Sequence, residues 1–273
     1  MLQDYFNVFA TDLTHYLPNN GNRLKKIDDR KFPPFEEQVR TLPEDEDFGV
    51  RLCGYPPKTN AQGPSLYTAR TYCTWVQEER LNSDFSAHVP MSWAVANGFE
   101  SFREMVRRWC DILEPVHGLA GPSLLWNGPD SDKYMGDCIF MLKKFPGLDS
   151  EDTANFSHEA GYLQNVPYQI RSINWLTVLG DKIIGDLGGR TGIRAGLGET
   201  CLLADYRGGI IIQAGPKPQF GSTERGVIPE DYRKVAALVK PVRFEAYRYG
   251  LFRNLPTPLN DVDETLKWVR RFD

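Results

Sequence analysis

The chain of 273 residues is 41% hydrophobic and 25% charged, a balance that excludes a disordered or fibrous protein and supplies enough apolar material for a substantial core. With 36 acidic against 32 basic residues the formal net charge is −4, which gives no electrostatic basis for direct binding to a nucleic-acid backbone. No apolar run approaches the ~18 residues of a membrane span, and Met1-Leu2-Gln3-Asp4-Tyr5 lacks the basic and apolar segments of a secretory leader, so a cytoplasmic protein without membrane contact is expected.

Residues 1–47 form an N-terminal segment that the residue pattern places least well. Asp4 to Phe9 fits a short helix or a strand, and Leu17-Pro18-Asn19-Asn20-Gly21 is a turn. Between Asp28 and Asp47, eight acids (Asp28, Asp29, Glu36, Glu37, Glu44, Asp45, Glu46, Asp47) stand against three bases (Arg30, Lys31, Arg40). Such a block reads either as a solvated linker or as an acidic patch for a basic partner. Phe48–Tyr55 and Leu66–Val76 are expected strands. In the second, Tyr67, Ala69, Thr71, Cys73 and Trp75 take one face and Thr68, Arg70, Tyr72 and Thr74 the other. Phe99–Leu113 is an expected helix, because Phe102, Val106, Trp109 and Leu113 make one stripe and Pro115 follows. His117–Trp126 is then a strand, and Tyr134–Phe145 a helix through Met135, Cys138, Leu142 and Phe145.

The Pro-, Gly- and acid-rich stretch 146–167 divides a first half, 48–147, from a second, 148–273, within one compact domain. Ile173, Leu176, Leu179, Ile183 and Leu187 predict a helix stopped by Gly188-Gly189. Residues 200–214 predict a hairpin that turns at Arg207-Gly208-Gly209, and its consecutive isoleucines 210–212 need apolar cover on both faces. This hairpin is the expected centre of the sheet, with the preceding helix lying across it. Pro229-Glu230-Asp231 opens a helix that buries Tyr232, Val235, Ala236 and Val239. Val242–Tyr247 is the expected returning strand and Asp263–Phe272 a closing helix. Hairpin, helix and strand thus recur over 48–126 and 200–247, the order that two similar halves would give. The expected fold is α+β: a mixed or antiparallel sheet with helices packed on it.

Catalytic signals are weak. The glycine-dense 185–198 looks like a phosphate cradle but lacks G-x-x-x-x-G-K-[ST] and follows a helix where such a loop follows a strand; a helix cap plus turn is the expectation. His15, His88, His117 and His158 have no metal-ligand spacing. His117 reads as a packed histidine, and a Cys110–His117 pair lacks a third, orienting group. Cys53, Cys73, Cys110, Cys138 and Cys201 are odd in number and scattered, as free thiols of a reducing compartment are. Trp93, Trp109, Trp175 and Trp268 read as core. No catalytic residue, metal or cofactor is expected, and the residues argue for a binding protein.

Six motifs occur in order over the last two thirds of the chain: Pro90-Met91-Ser92-Trp93; His117-Gly118-Leu119-Ala120-Gly121; Phe145-Pro146-Gly147-Leu148-Asp149; Ile173-Asn174-Trp175-Leu176-Thr177-Val178-Leu179 with Leu187-Gly188-Gly189; Ile212-Gln213-Ala214-Gly215-Pro216-Lys217-Pro218; and Trp268-Val269-Arg270-Arg271-Phe272-Asp273. In that order and spacing the chain resembles the TsiV-type immunity proteins of type VI secretion systems. It departs from them at Gly221-Ser222-Thr223-Glu224, where an acid is expected sooner after the glycine. The resemblance implies a cytoplasmic antidote of a Gram-negative bacterium. Such a protein binds one cognate effector toxin, a VRR-Nuc-type nuclease or another cytoplasm-acting toxin, and occludes its active site stoichiometrically, with no catalysis of its own. Two rival readings are an enzyme that reverses toxin damage through the 188–198 turn and an adaptor that loads the effector for export. A nuclease presents a basic substrate channel, so acids are expected at the interface. The candidates are Glu44, Asp45, Glu46 and Asp47, then Asp130 and Asp132 in the loop after Trp126, and Glu224 beyond the hairpin.

Overall fold

The computed structural model of the protein describes residues 1–28, 31–57, 63–74, 83–125, 131–150, 153–161 and 168–273. The chain divides into two compact units, one formed by Met1–Ala96 and the other by Asn97–Leu125 with the chain from Pro129 to Asp273.

The first unit opens with α1 (Leu2–Phe9), a helix because Tyr5, Phe6 and Phe9 fall on one buried face. Then follow β1 (His15–Leu17), β2 (Lys25–Lys26), α2 (Phe35–Arg40), β3 (Phe48–Gly54), β4 (Tyr67–Cys73), β5 (Asp84–His88) and α3 (Met91–Asn97). The strands make one antiparallel sheet in the order β2-β1-β3-β4-β5, with Leu52 opposite Ala69 at its buried centre. The two expected strands are β3 and β4; residues 75 and 76 of the second lie outside the described residues. Helix α1 is fixed to the sheet by the Tyr5 hydroxyl, which donates to the His88 carbonyl at 2.6 Å, and by the Phe9 ring against Tyr67 and Trp93.

The second unit contains α4 (Phe99–Leu113), β6 (His117–Ala120), β7 (Ser123–Leu124), α5 (Ser131–Lys144), β8 (Asp149–Ser150), α6 (Thr153–Gly161), β9 (Leu176–Gly180), α7 (Asp181–Asp186), α8 (Gly189–Leu197), β10 (Cys201–Tyr206), β11 (Gly209–Ala214), α9 (Glu230–Val239) and α10 (Asp261–Val269). Its main sheet is antiparallel, in the order β10-β11-β9-β6, and β7 pairs with β8 in parallel. The hairpin β10–β11 stands where it was expected, and every residue of β11 is buried. Gln213 points at α4, whose Arg103 donates to its Oε1 at 3.2 Å. By strand alternation Ile211 shares that face, and Ile210 and Ile212 fill the other. All three isoleucines are at most 1% exposed, which stabilises the sheet by about 1.5–3 kcal/mol per side chain.

Three expectations are corrected. The helix expected over 173–187 is a strand and then a helix. Leu176–Gly180 is β9, paired with both β11 and β6, and helix α7 begins only at Asp181. A short apolar run buried on both faces satisfies helical spacing by accident, and β-branched Thr177 and Val178 favour the pleat. Gly180 ends the strand where a Cβ would stand 2.9 Å from the Val116 carbonyl oxygen. The cap and turn expected over 188–198 is instead helix α8, with Ile193 and Leu197 buried. The returning strand expected over 242–247 is a 3-10 turn at Lys240–Val242 and a single bridge from Arg243 to Ile170, so the second hairpin–helix–strand series lacks its strand.

Five of the six sequence motifs, from His117 onward, lie in this unit and several of their residues meet in its interior, whereas Pro90-Met91-Ser92-Trp93 belongs to the first unit. Asn174 accepts from the Trp175 N–H, and Trp175 donates its indole N–H to the Gly215 carbonyl at 3.1 Å. Gly121 is required there because a Cβ would collide with the Asn174 side chain. Gly147 likewise lies against the Gln219 carbonyl, where any side chain is excluded. Arg271, driven down to about 9 by burial, donates to the carbonyls of Pro146 and Ile173 and to the Ser172 hydroxyl. Arg243 holds Asp273 through two bonds of 2.7 and 2.8 Å, and that pairing keeps the Asp273 carboxyl at about 2. A depressed carboxylate stabilises the fold above its unfolded pKa and loses that contribution as pH falls towards 2. Asp273→Asn should therefore cost about 1–2 kcal/mol at pH 7 and progressively less as the pH falls through about 2, as urea melts of both proteins from neutral pH down through that point would show.

Candidate partner-binding surfaces

Acidic candidates occur in both units. In the first, Glu44, Asp45 and Glu46 are exposed on the segment between α2 and β3. Asp47 is half-buried because the Tyr72 hydroxyl donates to its carboxylate at 2.5 Å, which fixes the end of the segment to the sheet. Helix α2 adds exposed Glu36 and Glu37, with Glu36 paired to Arg40 one turn on. Beside this acidic edge opens a cleft lined by Asn19, Arg23, Lys25, Gln38, Leu42 and Glu46. Its floor is set by the Asn19 N–H donating to Gln38 and the Gly49 N–H donating to Asn19.

In the second unit, Asp132 belongs to the first turn of α5 rather than to a loop, because that helix begins at Ser131. Asp130 lies outside the described residues. Glu224 sits in the turn closed by the Ser222–Val227 bridge and reaches Lys144, at the end of α5, at 3.0 Å. Thr223 donates to the Lys143 carbonyl, so this departure from the expected motif holds the turn onto the helix end. Twelve residues of helix separate Asp132 from Lys144, roughly 18 Å at the α-helical rise. Asp132 and Glu224 therefore mark opposite ends of one element.

What the acid pattern missed is the apolar surface between them. On α5, Met135, Ile139 and Leu142 are buried while Tyr134, Phe140 and Met141 are exposed. Phe220 and Val227 are exposed on the adjoining turn. A search for apolar residues on the outward stripe of α5 could have found the first three.

Burial, with Arg171 nearby, lowers His117 to about 4, so its ring is neutral at pH 7, edge-on to Phe156. Burial pushes the Cys110 thiol up to about 12, away from the thiolate a nucleophile needs. Arg190, on the former glycine cradle, pairs with Asp181 and Asp205. Among the described residues, no three His, Cys, Asp or Glu side chains gather as a metal site, and no helix is long and apolar enough to cross a membrane.

Residues 1–272 match the family model described as TsiV, type VI immunity for VRR-NUC. The chain belongs to the TsiV family. The fold is similar to that of the Pseudomonas aeruginosa T6SS protein PA0821, with a TM-score of 0.84 at 20% identity over 99% of this chain and 75% of that one. No curated protein sequence matches the chain.

Proposed function

We propose that this TsiV protein neutralises one VRR-NUC type VI effector by binding it one-to-one and covering its nuclease face. The observation that carries the reading is the family match over residues 1–272. Protection by binding alone must leave almost no free toxin, which calls for a Kd of nanomolar or below, about −12 kcal/mol. It acts in the cytoplasm, where the effector meets DNA. The exposed acids Glu44, Asp45 and Glu46, with Asp47 anchored behind them, complement a surface built to hold phosphates; the candidates Asp132, in the first turn of α5, and Glu224, in the turn held to the other end of that helix, belong to the same proposal.

Titration of the purified effector with this protein tests the mode of action. DNA cleavage should fall linearly and reach zero at one equivalent; protection by a small fraction of an equivalent would mean turnover and refute occlusion. The acidic edge has its own readout. The triple variant Glu44→Lys, Asp45→Lys, Glu46→Lys should slow association at least about tenfold at low salt and flatten its salt dependence. Unchanged association kinetics would remove this segment from the interface.

A further inference from the structure

We infer that the outward face of α5, together with the turn after Phe220, is the apolar anchor by which the effector is held. The inference rests on the proposed binding function and adds to it where the complex is gripped. Five large apolar side chains stand open to solvent here: Phe140 is 57% exposed, Val227 54%, Tyr134 48%, Phe220 44% and Met141 43%. Helical spacing puts Tyr134, Phe140 and Met141 on the side of α5 away from buried Met135, Ile139 and Leu142, each about one turn from exposed Asp137. The Lys144–Glu224 pair and the Gly147 N–H donating to the Phe220 carbonyl at 2.7 Å join the turn to the helix end, which makes the two elements one surface.

The face is rigid before any partner arrives. Lys143 reaches buried Glu264 of α10 at 2.8 Å, and Gly136 lets the inner side of α5 close on Pro256. Little ordering entropy remains to be lost on docking, and aromatic side chains with few rotatable bonds suit a hot spot.

Charge and area decide the occupant. The described charges on and around the patch, Asp137 within it and Lys144, Glu224 and Arg225 at its end, sum to zero, with Lys143 neutralised by buried Glu264, so neither a phosphate backbone nor an anionic membrane is attracted. Five half-exposed side chains of this size present roughly 400–500 Å² of apolar surface. Two copies pairing through this face would bury about twice that, well below the roughly 2,000 Å² and more of an obligate dimer. The same area is the apolar half of the ~800 Å² that one partner contributes to a standard heteromeric interface. The fitting occupant is therefore the VRR-NUC effector, through an apolar patch of matching area.

The test uses the full chain and a purified VRR-NUC effector from the same bacterium, with Kd measured by biolayer interferometry and oligomeric state by light scattering. Phe140→Asp should weaken binding at least about 100-fold, and the uncharged double variant Phe140→Ala, Met141→Ala at least about tenfold, both with unchanged melting temperature because the sites are exposed. Variants that bind within threefold of the wild type, while the wild-type complex forms, overturn this inference and leave the proposed function standing. A wild type that forms no complex overturns both. Variants that turn a wild-type dimer into a monomer with effector affinity intact also overturn it, in favour of self-association.

Discussion

Asp149→Ala is expected to destabilise the second unit by about 3–5 kcal/mol and to lower its melting temperature by roughly 10 °C or more. Asp149 and Arg171 are both nearly sealed from water, and Arg171 Nη2 lies 2.8 Å from each carboxylate oxygen. The same guanidinium donates to the Ser150 carbonyl at 3.1 Å and stands over the Trp268 ring. Asp149 thus ties β8 to the segment that leads into β9, while Arg171 links that segment to α10. Removing the carboxylate strands a cation where hydration cannot replace the lost partner, which is why the loss exceeds that of an exposed ion pair, commonly ~1 kcal/mol or less. The double variant Asp149→Leu, Arg171→Met removes both charges and should recover much of the loss. Denaturant melts of the two variants decide the matter. If the single variant melts within about 1 kcal/mol of the wild type, the pair is not a structural tie.

Much of this scaffold was legible in the residues, and the reasons for the failures are physical. Ile210-Ile211-Ile212 after a Gly-Gly turn admits little but a strand covered on both sides, and it is one. Leu176-Thr177-Val178-Leu179 was ambiguous because apolar spacing in a doubly covered strand imitates a helical stripe. The glycines of α8 misled for another reason. Gly192 lies 3.0 Å, measured from a would-be Cβ, from the Leu187 carbonyl, and Gly196 lies equally close to Leu238 of α9. They allow close helix packing, which composition alone makes indistinguishable from a loop. Among the site residues, the acids of 44–47 were visible as a charge run, yet the Tyr72 contact that fixes Asp47 depends on a strand 25 residues away. The α5 face was hidden because its exposed apolar residues are interleaved with charged ones, so a stripe drawn through Met135, Cys138, Leu142 and Phe145 left nothing unusual outside it.

The contrast between interior motifs and exposed anchors leads to a second large effect. Trp175→Ala should cost about 3–5 kcal/mol, because it empties the space of a fully buried indole packed against Phe99 and Phe102 and removes a donor to Gly215. Against a total stability of about 5–15 kcal/mol, such a loss raises the unfolded fraction at least about 100-fold, and in a cell that means fewer antidote molecules. The molecules that do fold still present the α5 face, since the partners of Trp175 are Phe99, Phe102 and Gly215 rather than α5 residues. Purified Trp175→Ala should thus bind the effector with a Kd within threefold of the wild type, at lower yield and with a lower melting temperature. Trp175→Phe, which keeps the ring packing and loses the hydrogen bond, should lie between them, about 1 kcal/mol or somewhat more below the wild type. Phe140→Asp predicts the reverse pattern, with full abundance and lost affinity. Measuring protein level and Kd for both variants separates the two roles. A Trp175→Ala protein of normal stability whose folded form binds tenfold more weakly would show that the motif residues take part in recognition, and the division between a shared interior and a specific surface would fail.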